Sequence, residues 1–101
     1  MSRQTQWLIP ADHPAFTGHF PGMPILPGVV LLDHALQIIT DANAITPHSC
    51  SINSVKFLSP AMPGELLVFA HSQTDNGMVH FEISVGSRKI ATGSIMLNPI
   101  S

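Results

Sequence analysis

Cationic side chains are scarce in this chain, which has four Lys and Arg residues among 101 and a formal charge of −2 at neutral pH. So few cations cannot form a basic surface for a phosphate backbone, and nucleic-acid binding is therefore not expected. Cysteine is nearly absent as well. Because Cys50 is the only one, an internal disulfide and a cysteine-rich metal site are both excluded.

Long apolar runs are also missing. None reaches the roughly 18 residues of a membrane-spanning helix, and Asp33 and His34 interrupt the longest. The first residues lack the charged start and apolar core of a signal peptide, so a cytoplasmic protein without membrane contact is expected. The histidines follow no metal-ligand spacing, and the sequence predicts neither a metal nor another cofactor.

Apolar residues, by contrast, make up 45% of the chain. A chain of this length has room for one domain, so residues 1–101 are interpreted as a single domain. One small core needs less apolar surface than this composition supplies. The excess predicts a buried interface between subunits.

The order of the predicted elements indicates the fold class. A short β-type run at 5–9 precedes one helix from 29 to about 43, whose apolar residues cover most of its circumference and predict an enclosed helix. Four β-type runs follow at 51–58, 65–74, 78–86 and 89–97. The turns Asp75-Asn76-Gly77 and Gly86-Ser87 predict hairpins. This order predicts an α+β protein with an antiparallel sheet around one helix.

The segment from His19 to Asp33 carries the most chemistry. Its prolines stiffen the loop, because each fixes φ and removes a backbone donor. Gly28, next to Pro27, marks the start of the helix. Apolar neighbours on the helix predict that Asp33 is buried, which is costly for a carboxylate unless it is paired or functional. A histidine, a helix-start glycine and an acid thus occur within fifteen residues.

This segment resembles the active site of the β-hydroxyacyl-acyl carrier protein dehydratases. In that family a catalytic histidine opens a His-Phe-Pro-Gly stretch and the catalytic acid follows fourteen residues later, which is the spacing between His19 and Asp33. A second similar stretch is Val55-Lys56-Phe57 with Pro60 and Pro63-Gly64. The resemblance implies a hotdog fold, an antiparallel sheet wrapped around one central helix.

The resemblance also implies a reaction, the dehydration of (3R)-hydroxyacyl thioesters carried on the phosphopantetheine of an acyl carrier protein. His19 would be the base and Asp33 the acid, provided that burial keeps a proton on the carboxyl group. The Gly28 amide, at the positive end of the helix dipole, would bind the thioester oxygen. Phe20 and Pro27 would belong to the substrate tunnel or its loop. For Phe20, the residue type alone favours packing in the core.

Two further expectations come with the family. Its sites combine a histidine from one subunit with an acid from another, which implies a homodimer or a larger assembly of dimers. Acyl carrier proteins are acidic, so Lys56, Arg88 and Lys89 are candidates for docking; for the Arg88-Lys89 pair, solvated turn residues are an equal alternative. The short chain looks most like the small dehydratases of aryl-polyene or polyketide-like pathways.

Other functions stay open. A hotdog thioesterase would use the helix carboxylate to activate water, but such enzymes generally lack the His-Phe-Pro-Gly loop. A non-catalytic acyl-binding subunit that pairs with an active homologue is a second alternative. For single residues, His19 could be a loop histidine bonded to a carbonyl and Asp33 a solvent-facing or interface residue. His34 is interpreted as pointing towards a loop or a partner subunit.

Overall fold

The computed structural model describes residues 2–12, 26–43, 50–74 and 76–97. Within these ranges lie one helix and five strands, in agreement with the predicted order. The elements are β1 (Ser2–Leu8), α1 (Gly28–Ala42), β2 (Cys50–Phe57), β3 (Leu66–Gln73), β4 (Met78–Val85) and β5 (Arg88–Leu97).

The five strands form one antiparallel sheet in the order β1-β3-β4-β5-β2. The β3–β4 and β4–β5 connections are the two predicted hairpins. Gly77 and Gly86 both have positive φ, +85° and +57°, which glycine adopts without steric cost. Asp75, the first residue of the predicted turn at 75–77, lies outside the described residues.

The inner face of the sheet carries the core. Alternate residues of β3, β4 and β5 are buried there, as the two-residue period of a strand requires; they include Leu67, Phe69, Val79, Phe81, Ile83 and Ile95. Gly93 lies directly opposite Phe81. A Cβ at Gly93 would come within 2.6 Å of the Phe81 ring and 2.5 Å of the Ser54 carbonyl oxygen, so only glycine fits here.

Helix α1 packs on this core through one face, which contains Leu31, Ala35, Ile39 and Thr40. The opposite stripe, Val29, Asp33, Gln37 and Asp41, is exposed, as expected for residues spaced four apart on one side of a helix. The prediction of an enclosed helix with a buried Asp33 is therefore wrong for the single chain. The sheet covers one side of the helix, so apolar neighbours along the sequence do not bury this carboxylate.

The length and apolarity of a helix decide whether it could span a membrane. In the described part of the chain, no helix is both long and apolar enough to cross a bilayer.

Candidate active site

The N-terminal end of α1 is formed by Pro27 and Gly28. Pro27 has an extended backbone (φ −59°, ψ 144°), and its carbonyl oxygen accepts hydrogen bonds from the amides of Val30 at 3.0 Å and Leu31 at 3.3 Å. No side chain among the described residues caps this end. Since the first amides of a helix have no partner within it, the Gly28 amide is a donor that the helix itself leaves unused. The predicted helix start is confirmed.

A cleft of about 510 Å³ opens beside this helix end. Its residues come from the helix start and from the segment that follows β2, and they are largely apolar: Leu26, Gly28, Leu31, Phe57, Leu58, Ser59 and Pro60. Two backbone bonds fix its walls. The Leu26 amide donates to the Ala61 carbonyl at 2.7 Å, and the Leu58 amide donates to the Ile90 carbonyl at 2.8 Å. The cleft thus lies beside the start of α1, and these hydrogen bonds hold the backbone of its walls in place.

The ring of Phe57 lies against Gly28. An ideal Cβ at Gly28 would be 2.8 Å from the ring Cζ and 3.0 Å from Cε1, which is closer than carbon atoms normally approach. Glycine therefore serves close packing here as well as the helix start. The sequence pattern places Phe57 in the second family-like stretch and does not identify it as a residue of the site. Its aromatic side chain at the end of an edge strand was the available signal.

Asp33 lies on the same helix, five residues after Gly28, or about 7.5 Å along the axis. Its side chain is on the exposed stripe, one turn after Val29, which is 73% exposed. An exposed valine beside a carboxylate is an apolar surface that a single chain leaves uncovered. In one protomer alone, Asp33 therefore faces away from the sheet.

The other residues predicted for the site are only partly described. His19 and Phe20 lie outside the described residues, so the base and the tunnel residue stay predictions. Pro27 is half-buried and directly precedes Gly28. The structure thus places Gly28 and Asp33 on one helix, directly after Pro27, and does not test their pairing with His19.

The cations predicted for carrier docking differ in their surroundings. One guanidinium nitrogen of Arg88 lies 2.8 Å from both carboxylate oxygens of Glu65 and donates to the Pro60 carbonyl at 3.2 Å. Arg88 thereby fastens the segment after β2 to the start of β5. Lys89 pairs with Glu82 at 3.2 Å, and Lys56 is exposed beside Phe57. Docking by these three residues stays a prediction, and Arg88 has a structural role in addition.

His34, the neighbour of Asp33, packs within the chain. Its ring stacks on Trp7 of β1 with centroids 3.8 Å apart and planes at 24°, and the Phe69 ring lies 6.3 Å away. The expectation that His34 points towards a loop or a partner subunit is therefore wrong. Consecutive residues of a helix point in different directions. His34 therefore packs against β1 while Asp33 lies on the exposed stripe.

A second histidine, His71, is buried on the inner face of the sheet with 7% of its surface exposed. Burial, and secondarily the positive charge of Arg3, lowers the pKa of His71 below its usual 6.5. Within the described ranges, no three His, Cys, Asp or Glu side chains are grouped to hold an ion.

A protein-family model described as ApeI-like, ApeI dehydratase, matches residues 2–94. The chain belongs to this dehydratase family. It is 30% identical over 97 positions to the 3-hydroxyacyl-[acyl-carrier-protein] dehydratase FabZ of Chlamydia trachomatis, covering 83% of this chain and 63% of that protein. It is 38% identical over 76 positions to FabZ of Mannheimia succiniciproducens, covering 61% and 50%. The chain spans less than two thirds of the length of these curated relatives.

Solved structures confirm the hotdog fold. An uncharacterized protein from Erwinia carotovora superposes with a TM-score of 0.79 at 29% identity, covering 98% of this chain and 84% of that one. The dehydratase heterocomplex ApeI:P from Xenorhabdus doucetiae gives 0.78 at 25% identity, covering 95% and 86%. The fluoroacetyl-CoA-specific thioesterase FlK shares the fold alone, with a TM-score of 0.62 at 12% identity over 94% of this chain and 88% of that one.

Proposed function

We propose that this chain dehydrates (3R)-hydroxyacyl thioesters carried on an acyl carrier protein, giving the trans-2-enoyl thioester and water. The observation that carries the proposal is the membership of the ApeI-like dehydratase family over residues 2–94. The helix geometry supports it, because Gly28 starts α1 beside an apolar cleft and Asp33 follows on the same helix. An aryl-polyene or polyketide-like pathway is the setting we favour.

The chemistry assigns one task to each group. The Gly28 amide and the positive helix end would stabilise the negative charge that develops on the thioester oxygen. His19, whose unperturbed imidazole is mostly neutral at pH 7, would remove the proton on the carbon next to the carbonyl. Asp33 would give its proton to the departing hydroxyl group. Water and the enoyl thioester leave, and a proton transfer from the imidazolium to the carboxylate restores the starting state.

This assignment needs the exposed stripe of α1 to be covered. Burial away from water favours the protonated form of a carboxyl group at neutral pH, whereas Asp33 is exposed in one protomer together with Val29. A second copy of the chain placed against this stripe would remove both side chains from water. We therefore include a homodimer, in which His19 of one subunit faces Asp33 of the other, in the proposal.

The direct test is turnover by the purified chain. A hydroxyacyl group is loaded on a carrier protein, and the enoyl product is followed by its absorbance and by mass spectrometry. Wild-type protein should form the enoyl thioester, and the same preparation carrying His19→Ala should not. A pure, folded, dimeric protein that leaves the substrate unchanged would contradict the proposal.

Subunit mixing tests the shared site. His19→Ala and Asp33→Asn protomers, each nearly inactive alone, are mixed and allowed to exchange. A mixed dimer then has one site with both substitutions and one with neither, so about half of the wild-type activity per mixed dimer should return if the sites act independently. If exchange is demonstrated by mass spectrometry of tagged chains and no activity returns, the two residues do not act across the interface.

A second candidate function is a non-catalytic subunit. The Xenorhabdus doucetiae neighbour is a dehydratase heterocomplex, ApeI:P, and this chain would by analogy be one member of a pair. An inactive chain that becomes part of an active complex when a homologue is co-expressed would favour this function. Release of free thiol from an acyl thioester, without enoyl product, would instead indicate a thioesterase.

A further inference from the structure

We propose that the Phe57 ring is a specificity-determining wall of the cleft, which excludes acyl thioesters that carry a substituent on the carbon next to the carbonyl. This inference rests on the proposed dehydratase function and deepens it. It concerns a residue of the edge strand β2, not of the helix that carries Gly28 and Asp33.

The contact between Phe57 and Gly28 is the first step of the argument. The far edge of the ring, Cζ with Cε1 and Cε2, lies 2.8 to 3.2 Å from the position that a Gly28 Cβ would take. The ring therefore fills the space of a side chain at the first residue of the helix. Gly28 and Phe57 line the same cleft, so this ring edge borders the space next to the first residue of the helix.

The backbone of Phe57 is fixed in the sheet, and its ring projects from it into the partly open cleft. The Phe57 backbone pairs with Ala91 in the sheet, and the next amide, of Leu58, donates to Ile90 at 2.8 Å. Yet 52% of Phe57 is exposed, and the cleft beside it holds about 510 Å³. A large aromatic residue that is half exposed gains little from burial, so packing stability alone does not account for its place at the helix end.

The position of the ring determines which part of the substrate it meets. If the Gly28 amide binds the thioester oxygen, the carbonyl carbon is one bond away from that oxygen and the neighbouring carbon two. We expect a methyl group on that carbon, but not a hydrogen, to meet the ring edge that lies beside Gly28. One additional methyl group in an apolar pocket typically changes kcat/KM by about 10- to 200-fold.

The experiment compares two substrates that differ in this methyl group. Hydroxybutyryl and α-methyl-hydroxybutyryl thioesters of N-acetylcysteamine are assayed with wild type, Phe57→Leu and Phe57→Ala. Wild type should prefer the unbranched substrate, and the ratio of the two kcat/KM values should fall at least tenfold in Phe57→Ala and less in Phe57→Leu. The matched control is Leu8→Ala, which alters a 60% exposed side chain that does not line the cleft and should keep the wild-type ratio.

The ratio of the kcat/KM values for the two substrates distinguishes this role from a merely structural one. A variant that only loses stability lowers both kcat/KM values together and leaves their ratio unchanged. If wild type dehydrates the unbranched thioester and Phe57→Ala keeps the wild-type ratio, the wall role is wrong and the dehydratase function stands. If wild type converts neither thioester nor its carrier-linked form, it is the dehydratase function that fails.

A measurement without catalysis tests the contact itself. Gly28→Ala should lower the unfolding midpoint, because its Cβ collides with the Phe57 ring. In the double variant Gly28→Ala with Phe57→Leu, much of this loss should be recovered, since the shorter side chain leaves room for the methyl group. Strict additivity of the two single substitutions would show that the ring does not occupy this space, and would overturn the inference.

Discussion

The two ends of helix α1 differ in how their polar groups are satisfied. At the C-terminal end, the Asn43 side chain donates to the Ile39 carbonyl at 2.8 Å, the Thr40 hydroxyl donates to the Leu36 carbonyl at 2.8 Å, and Arg3 donates to the Ala42 carbonyl at 3.3 Å. At the N-terminal end, no described side chain caps Gly28 and an apolar cleft adjoins it. One end is held by side-chain hydrogen bonds, and the other begins with an amide for which the helix itself supplies no partner.

The largest expected effect on turnover is that of replacing Asp33, the proposed acid in the N-terminal half of α1. Asp33→Asn keeps the size of the side chain and removes its exchangeable acid proton, so turnover should fall by about two to four decades, the usual scale for a general acid or base. Because Asp33 is exposed in the protomer, the circular dichroism spectrum should stay native. Near-normal enoyl formation by the Asn variant would remove Asp33 from the proposed mechanism.

The next largest expected effect is on kcat, and it comes from removing the Gly28 amide proton. Gly28→Pro deletes the N–H, while the first turn of a helix accepts proline and the extended Pro27 before it suits a following proline. Both Gly28→Pro and Gly28→Ala add a Cβ next to Phe57, so the alanine variant is the matched control for crowding. Proline should lower kcat by about 100- to 1000-fold more than alanine does, as expected for the loss of one oxyanion donor. Equal kcat values would show that the amide has no catalytic role.

Much of this fold follows from local sequence patterns. The two-residue period of the strands, the glycines of the two hairpins and the Pro27-Gly28 helix start predict all six elements to within a few residues. Each of these signals depends only on residues that are close together in the sequence, so the sequence contains all the information needed to recognise it.

The errors concern contacts between distant parts of the chain. Asp33 was expected to be buried because its neighbours are apolar, yet the sheet covers only the opposite face of α1. Arg88 and Glu65, like Phe57 and Gly28, meet because the segment after β2 crosses to β3 beside the helix end. A sequence pattern within the helix alone does not show which side of the helix the sheet leaves exposed to solvent.

The C-terminal end should respond in stability and not in turnover. Asn43→Ala removes the hydrogen bond to Ile39, for a loss of about 1 kcal/mol and an unfolding midpoint lower by about 4 to 8 °C. Gln37→Ala is the control, because Gln37 bonds to Asp41 on the exposed stripe, where such a pair contributes only about 0.2 to 0.5 kcal/mol. A variant of Asn43 with native stability and impaired turnover would reverse the proposed division between the two ends.

The smallest effect is the pH dependence of stability set by His71, which lies beside Arg3 near the same helix end. Its pKa is lowered in the folded state, first by burial and then by the charge of Arg3, so the unfolded chain takes up a proton at a higher pH than the folded one. Stability is therefore unaffected by this group above pH 6.5 and declines as the pH falls below that value.

Chemical unfolding between pH 7.5 and 5 measures this decline. His71→Gln cannot titrate, so its free energy of unfolding should depend less on pH below 6.5 than that of wild type, whatever its value at pH 7.5. Arg3→Gln should give an intermediate slope, because it removes the second cause of the shift and leaves the burial of His71 in place. If the His71→Gln slope equals that of wild type, another group causes the acid sensitivity.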